Sequence, residues 1–125
     1  MIADDPTFKR KLARLQIDMQ ALIATDHRMR SARNPAEGPM GGASLMKIIY
    51  SELTQRISAL HVDVSGLDNL YFQPEALEPG NTVQALAHEA TKTAMARHLD
   101  SRAVTIFGGS NEIQRNIITK SVLGL

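Results

Sequence analysis

Ile106-Phe-Gly-Gly-Ser-Asn-Glu-Ile-Gln-Arg-Asn-Ile-Ile-Thr-Lys-Ser-Val-Leu-Gly-Leu125 is the stretch on which the architecture of this 125-residue chain turns. The Gly108-Gly109 pair interrupts a helical pattern, Ser110-Asn111 follow as helix-starting residues, and Ile113, Ile117 and Val122 resume a helical spacing. Adjacent glycines can take positive φ and admit a ligand or another chain close to the backbone. Ser110 can cap the next helix through its hydroxyl oxygen. The expected product is a helix–corner–helix unit whose second helix opens with bare N–H donors. Such an end is a natural seat for a phosphate, or for a carbonyl oxygen gaining charge.

Upstream, Phe8, Leu12, Leu15, Met19 and Leu22 follow four- and three-residue steps, which predicts a first helix over about 7–32. Asp4-Asp5-Pro6 suits its start, and Arg28, Arg30 and Arg33 complement the dipole at its end. The turn-forming run Asn34-Pro-Ala-Glu-Gly-Pro-Met-Gly-Gly42 breaks the pattern. A second helix is expected over about 44–64, with Leu45, Ile49, Leu53, Ile57, Leu60 and Val64 as its apolar face, widened by Ile48. Ser65-Gly66 would end it. A loop holding Tyr71, Phe72, Pro74 and Pro79-Gly80 leads to a third helix, expected from Asn81 or Thr82 to about Phe107. Its Val83, Leu86, Ala87, Ala90 and Ala94 are small enough on average to let neighbouring helices approach closely. No stretch alternates as a strand would. The sequence therefore predicts one all-α domain over residues 1–125, an up-and-down four-helix bundle with crossing angles of roughly 20°.

Composition narrows the functional classes. Basic and acidic residues number 14 and 13, so the formal net charge is +1 and neither nucleic acid nor an anionic membrane is an expected partner. No apolar run approaches a membrane span, Met1-Ile-Ala-Asp-Asp5 does not read as a signal peptide, and a cytoplasmic location is the expectation. The absence of cysteine excludes disulfides and thiolate metal sites. His27, His61, His88 and His98 lack an HxxxH spacing or a carboxylate cluster, so no metal is expected. Glu52 and Glu89 read as solvated or paired, and Glu112, in the first turn of the last helix, as a capping residue rather than a base. Neither a P-loop nor a dinucleotide fingerprint is present.

Ile106-Phe107-Gly108-Gly109-Ser110, followed by Ile113-Gln114-Arg115 and the closing Ile117-Ile118 and Val122-Leu123-Gly124-Leu125, resembles the C-terminal signature of FAD-dependent acyl-CoA dehydrogenases. The resemblance extends into Asp100-Ser101-Arg102-Ala103 and, more weakly, into Lys47-Ile48-Ile49-Tyr50-Ser51-Glu52-Leu53. It implies the C-terminal helical domain of a larger flavoprotein, without the family's N-terminal helical and middle β-domains. The cofactor so implied is FAD, the substrate an acyl-CoA thioester, and the reaction α,β-dehydrogenation, in which a base takes the α-proton and the flavin the β-hydride. Gly109 falls at the family's substrate-side position, and Ser110, Asn111 and Glu112 at its flavin-side positions.

Two departures qualify what the resemblance implies. In many members a glutamate precedes the second glycine and acts as the base; here that position is Gly108, so no catalytic residue is expected in this chain. In Val64-Ser65-Gly66-Leu67-Asp68-Asn69, where the family usually carries a glycine pair, only Gly66 remains. The resemblance further implies a homo- or hetero-oligomer joined through the bundle, and a chain that is inactive alone. A non-catalytic helical assembly subunit of a hetero-oligomeric dehydrogenase is the alternative, and an acyl-CoA oxidase a third.

Overall fold

Residues 2–31 and 41–125 are described by a computed structural model, and every regular element among them is helical. Four α-helices follow in order: α1 (Pro6–Arg30), α2 (Gly42–Ser65), α3 (Ala94–Asp100) and α4 (Asn111–Ile118). A 3-10 segment, Ser101–Thr105, continues α3, and a π-helical turn, Thr119–Leu123, continues α4. The all-α class and the count of four α-helices expected from the sequence are those observed among the described residues. The expected break at 34–42 lies, up to Met40, outside the described residues, and so does Arg33.

Pro6 opens α1, where its missing N–H is no loss, and Asp5 caps the helix by accepting from the Thr7 N–H at 2.9 Å. Phe8, Leu15, Leu22 and Met29, each seven residues after the last, form the half-buried seam of this helix. Two ion pairs set its register on α2: Lys11–Asp63 at 2.6 Å and Arg56–Asp18 at 2.7 Å. Moving from 11 to 18 on α1 moves from 63 to 56 on α2, so the two helices are antiparallel. Exposed pairs of this kind contribute about 0–1 kcal/mol each, so they select register more than they hold the fold.

Helix α2 is the hub, packing on α1, α3, the 3-10 segment and α4. Leu53 and Leu60 of its expected apolar face are buried, as is Ile48, but Leu45, Ile57 and Val64 stay largely open. The face turned to α3 and α4 is polar instead. Along it Ser44, Ile48, Ser51, Gln55 and Ser58 follow helical four- and three-residue steps, and Ser51 is wholly buried. Ser51, Gln55 and Ser58 each find a hydrogen-bond partner across this seam, in Asn111, the Ser101 carbonyl, and His98 with Ser101.

The third helix is much shorter than expected. Residues 81–93 form turns held by their own side chains: Asn81 Oδ1 accepts from the Val83 N–H, His88 Nδ1 from the Ala90 N–H, and the Thr91 hydroxyl donates to the His88 carbonyl. Local bonds of this type compete with helix formation. Val83 and Leu86 remain exposed, so no buried apolar face compensates, and packing supplies most of a protein helix's stability. Only at Ala94, fully buried against α2, does regular α-helix begin.

The outer surface is unusually apolar. Ile113 and Ile117 of α4 are 52% and 44% exposed while its Asn111 and Gln114 are buried, so the amphipathic face of α4 points away from α2.

Candidate functional site

The glycine corner begins where the 3-10 segment stops. The N–H groups of Ile106 and Phe107 both donate to the Ala103 carbonyl, at 2.9 and 3.0 Å. Gly108 (φ +68°) and Gly109 (φ +86°) then take the left-handed conformation in succession, which ends the 3-10 segment before α4 begins. Ser110 follows with extended geometry, and its hydroxyl oxygen accepts from the Ile113 N–H at 3.5 Å, so α4 starts where the sequence placed it.

The two glycines are constrained differently. A Cβ on Gly108 would meet nothing within 4 Å, so that backbone lies open. A Cβ on Gly109 would come to 2.8 Å from Gln114 Nε2. The buried Gln114 amide lies beneath the corner and donates to the carbonyls of Gly108 (3.1 Å) and Gly109 (3.4 Å).

A second set of bonds fixes the corner to α2. Lys47 Nζ donates to Asn111 Oδ1 at 2.8 Å and to the Thr105 carbonyl at 3.2 Å, touching the chain on both sides of the glycines. The Ser51 hydroxyl lies 3.2 Å from the same Asn111 oxygen. One turn further along, Gln55 Nε2 donates to the Ser101 carbonyl at 3.2 Å, and Ser58 Oγ sits 3.2 Å from His98 Nδ1 and 3.0 Å from Ser101 Oγ. The polar seam of α2 thus holds the segment from His98 to Asn111 from one side. Arg115 adds an exposed bond to Glu52 at 3.0 Å.

The residues expected at the site are contiguous in space as in sequence, but they do not all face the same way. Gly109 and Ser110 lie at the corner. Asn111 is buried, with its side-chain oxygen committed to Lys47 and Ser51. The Glu112 side chain is exposed, and its carboxyl is held below the usual carboxylate range. Its own backbone N–H is the first cause and the Ser110 hydroxyl the second; desolvation opposes them, and Arg115 and Lys47 add smaller contributions in the same direction as the hydrogen bonds.

A depressed carboxyl stabilises the folded corner above its unfolded pKa and stops doing so as pH falls through the folded value. A carboxyl-detected NMR titration is therefore expected to place Glu112 below the mean glutamate, and Glu112→Gln to remove that part of the acid sensitivity of α4. Titration at or above the ordinary glutamate value would show that the cap does not form.

Gln114, Lys47 and Ser51 were not singled out as site residues. Each is a polar residue at an inward helical position, where an apolar-periodicity reading registers only a gap. A cavity of about 280 Å³ between α1 and α2 is lined by both charged and apolar side chains, one of about 380 Å³ beside α2 and α3 mostly by polar ones, and neither is lined by any residue of 106–112. Among the described residues no cluster of three or more His, Asp or Glu is placed to hold a metal ion. No helix among them is long and apolar enough to cross a membrane.

Residues 1–123 match the family model described as acyl-CoA dehydrogenase, C-terminal domain. Two curated relatives are both named acyl-CoA dehydrogenase IpdE1. The protein from Mycobacterium tuberculosis is 31% identical over 123 residues, 98% of this chain and 28% of the relative. The protein from Mycolicibacterium smegmatis is 28% identical over 123 residues, 98% of this chain and 26% of the relative. The chain thus spans about a quarter of the length of the curated relatives it matches. No solved structure matches it significantly.

Proposed function

Because the chain belongs to the acyl-CoA dehydrogenase family, as its C-terminal domain, we propose that its glycine corner forms one wall of a site for FAD and an acyl-CoA thioester. The enzyme so completed would dehydrogenate the acyl group between its α and β carbons. The observation that carries this reading is the corner itself: two left-handed glycines and a capped helix start, held from behind by α2 so that the other side is free for a ligand.

The residues present suit FAD as one wall of a larger site. The donors at the start of α4 and the Ser110 hydroxyl fit the polar oxygens of the cofactor. The bare Cα of Gly108 allows close approach, and exposed Ile106 and Phe107 supply an apolar rim. When bound, FAD supplies the acceptor for the two-electron oxidation. On this chain, Gly109 would lie beside the thioester. Ser110 and Glu112 would make polar contacts to the cofactor, and Asn111 would take part through its backbone, since its side chain is engaged inward.

Proton removal is not assigned to any residue here. Gly108 carries no side chain, and the Glu112 carboxylate is turned to its own N–H and to Ser110. A base must reach the substrate proton, so we place it on polypeptide outside this chain. The outward apolar face of α4 supports an interface with other polypeptide, in a cytoplasmic homo- or hetero-oligomer with no nucleic-acid or membrane partner. A second reading, a non-catalytic assembly subunit of a hetero-oligomeric dehydrogenase, is favoured by one observation, the glycine at position 108.

Titrating the purified chain with FAD, followed by flavin absorbance and fluorescence, tests the first reading. Saturable binding with a shifted flavin spectrum is the expected result, together with no flavin-dependent oxidation of acyl-CoA by the chain alone. A stable helical chain that leaves the flavin spectrum unchanged would favour the assembly reading. Gly108→Glu is expected to fold, because its Cβ meets open space, at a backbone cost of about 1–2 kcal/mol for a left-handed residue.

A further inference from the structure

The geometry points to Gln114 as the positioning residue of the glycine corner: by holding two carbonyls inward, it turns the N–H donors of Gly109 and Ser110 outward. A trans peptide is planar, with its C=O and N–H pointing in opposite directions, and no cis peptide occurs among the described residues. The Gly108 carbonyl shares a peptide plane with the Gly109 N–H, and the Gly109 carbonyl shares one with the Ser110 N–H. Gln114 Nε2 donates to both carbonyls, at 3.1 and 3.4 Å. One amide group therefore fixes two successive peptide planes, and both donors face away from it.

Glycine needs such a clamp. It has the widest conformational freedom of any residue, so two in succession do not define donor directions by themselves. Gln114 is well suited to supply the constraint. It is buried in the first turns of α4, and α4 is tied to α2 through Asn111, Lys47 and Ser51. The direction of the outward donors is thereby set by the bundle before any ligand arrives, which removes an ordering cost from binding. That Gln114 serves an acyl-CoA and flavin site rests on the function proposed above; that it orients the corner rests on the hydrogen bonds alone.

The test compares the chain with Gln114→Met, which keeps length and apolar bulk but has no donor, and with Gln114→Glu, whose carboxylate faces the two carbonyls with acceptors only. Two-dimensional amide NMR is read at neutral pH, with FAD titrations alongside. In both variants the Gly109 and Ser110 amide resonances are expected to move and to exchange faster, while those of α1 and the middle of α2 stay in place. In Gln114→Glu, lowering the pH through protonation of the introduced carboxyl restores a donor and is expected to return the two resonances toward their original positions. FAD affinity is expected to fall about tenfold in Gln114→Met.

Unmoved Gly109 and Ser110 resonances in either variant would overturn the proposal, as would movement spread equally over all four helices. If the unsubstituted chain binds no FAD, the flavin-site reading fails, and the resonances alone decide whether Gln114 orients the corner.

Discussion

Gly109→Ala is expected to lower the thermal midpoint of the chain by about 8–16 °C, roughly twice the effect of Gly108→Ala. The added methyl at 109 would stand 2.8 Å from Gln114 Nε2, closer than real Cβ contacts come, so the amide end must shift from its place. That shift weakens its bonds to two carbonyls, a loss of about 1 kcal/mol. The left-handed φ of +86° adds about 1–2 kcal/mol for any residue bearing a Cβ. At Gly108 the second term applies and the first does not, because nothing lies within 4 Å of its Cβ position. Circular-dichroism melts of the two variants measure the difference directly. Equal midpoints would mean that Gln114 does not occupy the inner side of the corner in solution. The contrast also bears on function: an alanine at 109 would disturb the face proposed for the thioester, whereas one at 108 would only narrow it.

The parts of this architecture that were legible in the sequence are those in which local chemistry and packing agree. Asp5-Pro6 starts α1 because cap and fixed φ act within a few residues. Gly108-Gly109-Ser110 marks the corner for the same reason, since φ and capping are local properties. The third helix falls short of its expected length because its early residues have acceptable helix propensity but nothing to pack on. Asn81, His88 and Thr91 then satisfy the backbone locally, and a helix over 81–93 is lost.

The inward face of α2 escapes an apolar-periodicity reading for the opposite reason. Ser51 and Gln55 look like surface residues in a hydropathy pattern, yet they face Asn111, Ser101 and Thr105, which lie 46 to 60 residues away in sequence. Periodicity finds apolar seams, and a seam built from serine, glutamine and one lysine leaves no such trace. The outward Ile113 and Ile117 are the complement of that seam: once Asn111 and Gln114 take the inner positions of α4, its isoleucines must face away from α2.

The polar seam is also where the second large effect is expected. Asn111→Ala should destabilise the chain by about 2–4 kcal/mol, while Asn111→Asp should stay within about 1 kcal/mol of the original. Asn111 is 5% exposed, and its Oδ1 takes both the Lys47 ammonium at 2.8 Å and the Ser51 hydroxyl at 3.2 Å. Alanine leaves a half-buried ammonium with only the Thr105 carbonyl as acceptor, and removing one partner of a charged hydrogen bond costs more than a neutral bond contributes. Aspartate keeps an oxygen in the same place, since both contacts use the carbonyl oxygen and neither uses the amide nitrogen. Its charge would also face Lys47 and lie in the first turn of α4, where the helix dipole favours an anion. Urea unfolding of the two variants tests this order; because aspartate also keeps the volume of asparagine, the bond is separated from simple loss of volume by a double-mutant cycle with Lys47. Lys47→Met in the Asn111→Ala background should then add little, because the interaction it would remove is already gone.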